Sequence, residues 1–179
     1  EYFYRVSTRD SKGQVIESDL RSFQTAVRET EPFAFVVISD TQSNPKVAKQ
    51  ISTHAWGQRP HFVLHPGDLV GTGANKHEWV NEFFPSMQPL ISRAAFYPVL
   101  GNHEGNAQHY YDYVSVPDPE YYYQFRYGNA QFFMIDTNKS VAPDSEQHQW
   151  LDKALSSSTA TWKICCHHHP PYSSDENDY

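Results

Sequence analysis

The sequence predicts an α/β domain built on a largely buried sheet, and three observations carry that prediction. Continuous apolar runs, FAFVVIS from Phe33, HFVLH from His61 and AFYPVL from Ala95, are the signature of strands covered on both faces. Helix-like stretches stand between them, and strand–helix alternation is the pattern of α/β folds. The length, 179 residues, suffices for one sizeable core and a small appendage rather than for two full domains.

The elements follow in order. The opening stretch YFYRVSTRDSKGQVIESDLRSFQTA reads as two strands turning at Lys12-Gly13, with Tyr2, Tyr4 and Val6 alternating against Phe3, Arg5 and Ser7. Two strands alone are marginal in water, so they are expected to close a β-sandwich that begins before Glu1. The charged linker RETEP, from Arg28, then divides the chain into residues 1–29 and 30–179. After FAFVVIS a helix is expected from Pro45, since proline suits a first helical turn. HFVLH is the second buried strand. NKHEWVNEFFPSMQPLISRA is helical around Trp79 and Phe83 and interrupted by Pro85 and Pro89. AFYPVL is the third strand. YYYQFRYGNAQFFMIDT reads as a hairpin turning at Gly128-Asn129. PDSEQHQWLDKAL opens with Asp144 as N-cap and Gln147 as its capping-box partner. WKICC is the last strand, running into three histidines.

Composition narrows the function. The net charge of −7 and pI near 5.7, with no basic cluster, leave no surface for tracking nucleic-acid phosphates. No apolar run approaches the roughly 20 residues of a membrane span, and nothing in the sequence signals an oligomeric state. Cys165 and Cys166 are adjacent; on a strand they face opposite ways, so buried thiols are expected rather than a disulfide.

The chemistry lies at the strand ends. The buried strands run into SDTQ, HPGDLVG, LGNHEG and CCHHHPPY, and open α/β sheets bind ligands beyond the carboxyl ends of their strands. Asp40, Asp68, Asn102, His103 and a histidine from 167–169 are therefore expected at one edge. Carboxylates, an amide oxygen and imidazole suit Mn, Fe, Zn or Mg, without the thiolates of a structural zinc site. His65 is expected to be a satisfied core histidine, and His77 to be solvated.

The order D, GD, GNHE, HHPPY resembles the calcineurin-like metallophosphoesterases. YQFRYGNAQFFMIDT and SEQHQWLDKALSSSTATWKI are similar to the purple-acid-phosphatase branch. The resemblance implies a metallophosphoesterase-type sandwich of sheets flanked by helices, incomplete at its C-terminus. Ahead of it would stand the last strands of a fibronectin-III-like module. It implies two divalent or trivalent ions, a hydroxide bridging them and a small phosphoester substrate. Asp40 would hold one ion, Asp68 would bridge both, Asn102 would hold the second, and His168 would be the ligand of the last motif. His103 would contact the phosphate and protonate the leaving group, with Glu104 supporting its imidazole. His167 and His169 would pack or face solvent.

Three departures stand against the family pattern. Gln42 occupies the place of a histidine ligand, and offers an amide oxygen instead. Gly71 stands where purple enzymes carry the tyrosine that colours ferric iron. The chain reaches Tyr179 without the later GHxH segment, so it is expected to be a fragment of a secreted or cell-envelope protein. The expected activity is that of an acid-phosphatase-like phosphomonoesterase. The alternatives are a phosphodiesterase of the same fold and an inactive binding or cell-surface protein.

Overall fold

The computed structural model describes residues 1–173. Its centre is a pair of three-stranded sheets. In the first, β5 (Phe35–Val37), β6 (Phe62–His65) and β7 (Ala95–Pro98) run parallel in the order β5-β6-β7, with Val63 opposite Val36 and Phe96. In the second, β8 (Tyr123–Tyr127) and β9 (Ala130–Met134) form the hairpin expected at Gly128-Asn129, and β10 (Trp162–Cys166) joins β9 in parallel.

Alternation along β6 assigns the layers. Phe62 and Leu64 point between the sheets, into a cluster with Val99, Tyr123, Tyr127, Phe132 and Met134. Val63 points the other way, into a cluster with Trp79, Phe83, Met87 and Leu90. The second cluster lies beneath α1 (Pro45–Gly57) and α3 (Phe84–Ile91). With α5 (Glu146–Ser157) contributing buried Gln147 and Ala154, the architecture is a sheet sandwich flanked by helices. Aromatic rings fill the inter-sheet layer, with Phe35 and Phe62 stacked at 5.1 Å and Phe125 and Phe132 at 4.8 Å, geometries that add to area burial.

Local chemistry explains most boundaries. Pro45 opens α1 behind Asn44, whose side chain accepts from the Val47 amide at 3.2 Å. The stretch expected to be interrupted by prolines is continuous helical backbone from α2 (Lys76–Glu78) to α3. A π-turn at Trp79–Phe83 leads directly into α3, which carries Pro85 in its first turn and Pro89 in its interior. The cap of α5 is Ser145, whose side chain accepts from His148 N, rather than Asp144. Gln147 is not a capping-box partner because its amide turns inward and pairs with the backbone of Asp136. A short α4 (Gln108–Tyr113) buries Tyr110.

Two further expectations change. The two opening strands are four. β2 (Ser7–Arg9) pairs with β3 (Val15–Glu17) across the Asp10–Gly13 turn, and β1 (Tyr2–Tyr4) pairs separately with β4 (Arg21–Phe23). The first apolar run is not covered on both faces: β5 is an edge strand, and Val37 is 57% exposed. The cysteines are free, but only Cys166 is the buried thiol expected, its pKa pushed by burial up to about 12; Cys165, on the opposite face of β10, is exposed.

Candidate metal centre

Each candidate ligand leaves the end of a parallel strand, and the backbone there adopts conformations that ordinary strands avoid. Asp40 and Asp68 both sit in the left-handed region, at φ 57° and 55°, which aspartate tolerates better than most residues. Their loops are laced together: Asp40 N donates to Gly67 O at 3.3 Å, and Thr41 N to Asp68 O at 3.0 Å. Close approach is enforced by glycine. A Cβ at Gly67 would stand 2.7 Å from His168 Nδ1, and one at Gly101 would collide with the Asp68 carboxylate.

The resulting cleft of about 380 Å³ is lined by Asp40, Gln42, Asp68, Asn102, His103 and His168, with His169 and Pro170 at its wall. Ligand atoms of Asp40, Asp68 and His168 all lie within 4.8 Å of one another. His168 carries the most informative geometry. Its Nδ1 is 2.7 Å from Pro66 O; a carbonyl only accepts, so Nδ1 carries the proton. Its Nε2 is 3.0 Å from Asn102 Oδ1 and 3.5 Å from Asp68 Oδ1. Nε2 thus turns toward two oxygens, and the three atoms together offer the kind of ligand set that a metal cation takes. Metal-bound histidines commonly donate their other nitrogen to a backbone carbonyl in this way. The donor set is hard oxygen plus imidazole, with both thiols elsewhere, and it fits a divalent or trivalent ion.

Asp68 is buried and uses both oxygens. Oδ1 accepts from His103 N at 3.0 Å, and Oδ2 accepts from Gln42 Nε2 at 3.1 Å. Gln42 thus touches the site through its donor, while its buried Oε1 has no partner among the described residues. His103 is half exposed. Its Nδ1 is 2.7 Å from Gly71 O, and its Nε2 is 3.7 Å from Asp68 Oδ2. The Gly71 carbonyl, aided by the nearby charges of Asp68, Glu104 and Asp40, raises its pKa.

Glu104 differs from its expected place as a support for the His103 ring. It is almost fully buried, and its carboxylate accepts four amides: Asp68 N and Gly101 N on Oε2, Leu69 N and Val70 N on Oε1, at 2.8–3.2 Å. Burial raises its pKa, against those amides. It organises the loop that carries Asp68, and the Gly71 carbonyl supports the imidazole. His65 is a core residue with Nε2 3.1 Å from Thr41 Oγ1, but it is only half satisfied, because its buried Nδ1 has no hydrogen-bond partner among the described residues. Burial lowers its pKa to about 3. His77 is exposed as expected. His167 and His169 bond to neighbours, His169 O and Thr137 Oγ1. The acidic residues after Ser174 lie outside the described residues.

The calcineurin-like phosphoesterase model matches residues 33–179. The chain belongs to the calcineurin-like phosphoesterase family. Two relatives, both from Arabidopsis thaliana, fall in its purple acid phosphatase branch. One, named probable purple acid phosphatase 20, is 29% identical over 64% of this chain and 31% of its own length. The other, named probable inactive purple acid phosphatase 27, is 22% identical over 54% of this chain and 19% of its own length. The fold matches a purple acid phosphatase from yellow lupin (Lupinus luteus) seeds with a TM-score of 0.76, at 17% identity, over 93% of this chain and 36% of that one. The chain thus spans about a third of the length of the first relative and of the lupin phosphatase, and about a fifth of the second relative. Among the described residues no helix is long and apolar enough to cross a membrane.

Proposed function

We propose that the protein containing this chain hydrolyses small phosphomonoesters at a centre of two metal ions. The observation that carries this reading is the convergence of His168 Nε2, Asn102 Oδ1 and the Asp68 carboxylate, three groups able to ligate a cation, with both oxygens within 3.5 Å of Nε2 and all three residues lining one cleft. Asp40, Asp68, Asn102 and His168 would hold the ions, with Asp68 shared because its two oxygens face different neighbours. Gln42 would contribute only through its unpartnered Oε1. The chemistry such a centre supplies is activation of water near neutral pH and neutralisation of phosphoryl charge.

The chain's own groups do the rest. With Nδ1 donating to Gly71 O, His103 turns Nε2 to the cleft as the atom that would carry the transferable proton in the imidazolium. The Gly71 carbonyl and the nearby carboxylates raise its pKa, the direction that a general acid for a leaving alkoxide requires. Glu104 acts behind the site by fixing the backbone under Asp68 and Gly101. Residues 1–29 would be the closing strands of a fibronectin-III-like module, and a secreted or cell-envelope location follows the purple acid phosphatase resemblance.

A second reading, an inactive binding protein, is favoured by the Gln42 amide that occupies Asp68 Oδ2. Metal analysis of the full-length protein, paired with hydrolysis of nitrophenyl phosphate and of its diester, separates the readings. Two ions per chain and a preference for the monoester are expected. A folded protein without metal or turnover would establish the binder, and preference for the diester would establish a phosphodiesterase.

A further inference from the structure

We propose that Asp136, Thr137 and Asn138 are positioning residues that clamp the two segments carrying Asn102 and His168, and so set the site's affinity for its cation. The inference rests on the metal-centre reading above. This tripeptide follows β9 and, among the described residues, makes no hydrogen bond to a candidate ligand side chain, yet it is bonded to both ligand-bearing loops. Asn138 Nδ2 donates to Leu100 O at 3.3 Å and to Gly101 O at 3.2 Å, the two carbonyls just ahead of Asn102. Thr137 Oγ1 accepts from His169 N at 3.1 Å and lies 2.7 Å from His169 Nδ1. The hydroxyl thus holds both the amide and the ring of His169. His168, one residue earlier, is thereby held against Pro66 O.

The tripeptide is itself anchored. Asp136 is fully buried, and its Oδ1 accepts from Asn138 N at 2.9 Å and Asn138 Nδ2 at 2.7 Å. Its peptide groups pair with both ends of the Gln147 amide, N to Oε1 at 2.8 Å and O to Nε2 at 2.9 Å. Gln147 belongs to α5, so the clamp is referenced to a helix and not to a loop. Closing a turn after β9 needs only the Asp136–Asn138 contacts. The bonds to Leu100, Gly101 and His169 reach across 38, 37 and 32 residues and serve no turn. Their effect is to fix the distance between the Asn102 and His168 segments. Partners that orient ligands from outside typically govern metal affinity by about 10–100-fold.

The test uses the full-length protein with Thr137→Val, Thr137→Ser and Asn138→Ala, and Mn²⁺ alone as the probe. Amide exchange in the metal-free protein should accelerate about tenfold in residues 167–169 for Thr137→Val and in residues 100–104 for Asn138→Ala. Each variant should leave the other segment and β6 unchanged, and Thr137→Ser should restore the wild-type pattern. Mn²⁺ affinity measured by calorimetry should fall about 10–100-fold in Thr137→Val and Asn138→Ala. Exchange that is unchanged, or faster throughout the core, would overturn the clamp. So would segment-specific loosening with unaltered Mn²⁺ affinity. If the wild type takes up no Mn²⁺, the proposed function falls and affinity control falls with it, while the exchange pattern still decides whether the segments are clamped.

Discussion

Replacing Glu104 by glutamine should destabilise the fold by about 2–4 kcal/mol, although the substitution changes one atom and removes a charge. The carboxylate accepts two amides on each oxygen, Asp68 N and Gly101 N on one, Leu69 N and Val70 N on the other. A glutamine can present only one oxygen, so either orientation turns an NH₂ group toward one pair of buried donors. Leaving a buried donor unsatisfied costs about 1–3 kcal/mol, or roughly 2–6 kcal/mol for two. Removing the charge returns part of this, because burial already opposes the ionised form, as the raised pKa of Glu104 shows. The net therefore falls in the lower part of that range. With a urea slope of about 2 kcal/mol/M, the midpoint of metal-free protein should drop by roughly 1–2 M at neutral pH. A loss below about 1 kcal/mol would show that the four amides find other partners and that Glu104 does not hold the Asp68 loop.

Three further outcomes are expected. Asp68→Asn should weaken Mn²⁺ binding beyond the roughly 100-fold reached by outer partners, while Gln42→Ala stays within it; equal losses by calorimetry would reverse these roles. His103→Ala should slow poor leaving groups by about 10²–10⁴ and nitrophenyl phosphate much less, with metal content unchanged, and equal slowing or loss of metal would exclude the proton-donor role. His65, with a folded pKa near 3 against about 6.5 unfolded, is protonated first in the unfolded chain. Its stabilisation is complete above pH 6.5 and shrinks as pH falls, by about 2 kcal/mol at pH 5. His65→Gln should remove that slope from the pH dependence of unfolding, and an unaltered slope would place the titration elsewhere.

The sheets and the candidate ligands were legible because each rests on a local contrast. Apolar runs such as HFVLH mark buried strands, and a polar residue at the end of such a run has no packing reason to be there. What the chain hides is what acts at long range. Glu104 sits beside His103 in sequence, and proximity suggests that it supports the ring; its true partners are amides 34–36 residues earlier and the Gly101 amide three before it. Asp136-Thr137-Asn138 reads as an ordinary turn after a strand, since no spacing encodes an amide reaching Gly101 or a hydroxyl reaching His169. The sequence puts the cap of α5 at Asp144, one residue before Ser145, which holds it and is as good a cap former. Tertiary bonding of Gln147 to Asp136 removes the capping box that favoured the first.

These long-range contacts share a logic that bears on how the site is held. Asp40 and Asp68 occupy left-handed backbone, and the acceptors of His168, Asn102 and Asp68 face one another. The left-handed backbone costs free energy, and such strain persists only where the surroundings over-determine it. The surroundings here are backbone-directed: Glu104 on four amides, Asn138 on two carbonyls, Thr137 on the His169 amide, Thr41 on Asp68 O and Leu69 O. A side chain that fixes a neighbour's backbone leaves that neighbour's own side chain free to face the cleft. Preorganisation of this kind is required of ligands that must meet an ion without rearranging. It also explains why Gly67 and Gly101 stand where the loops touch: a Cβ at either would separate the segments that these bonds draw together.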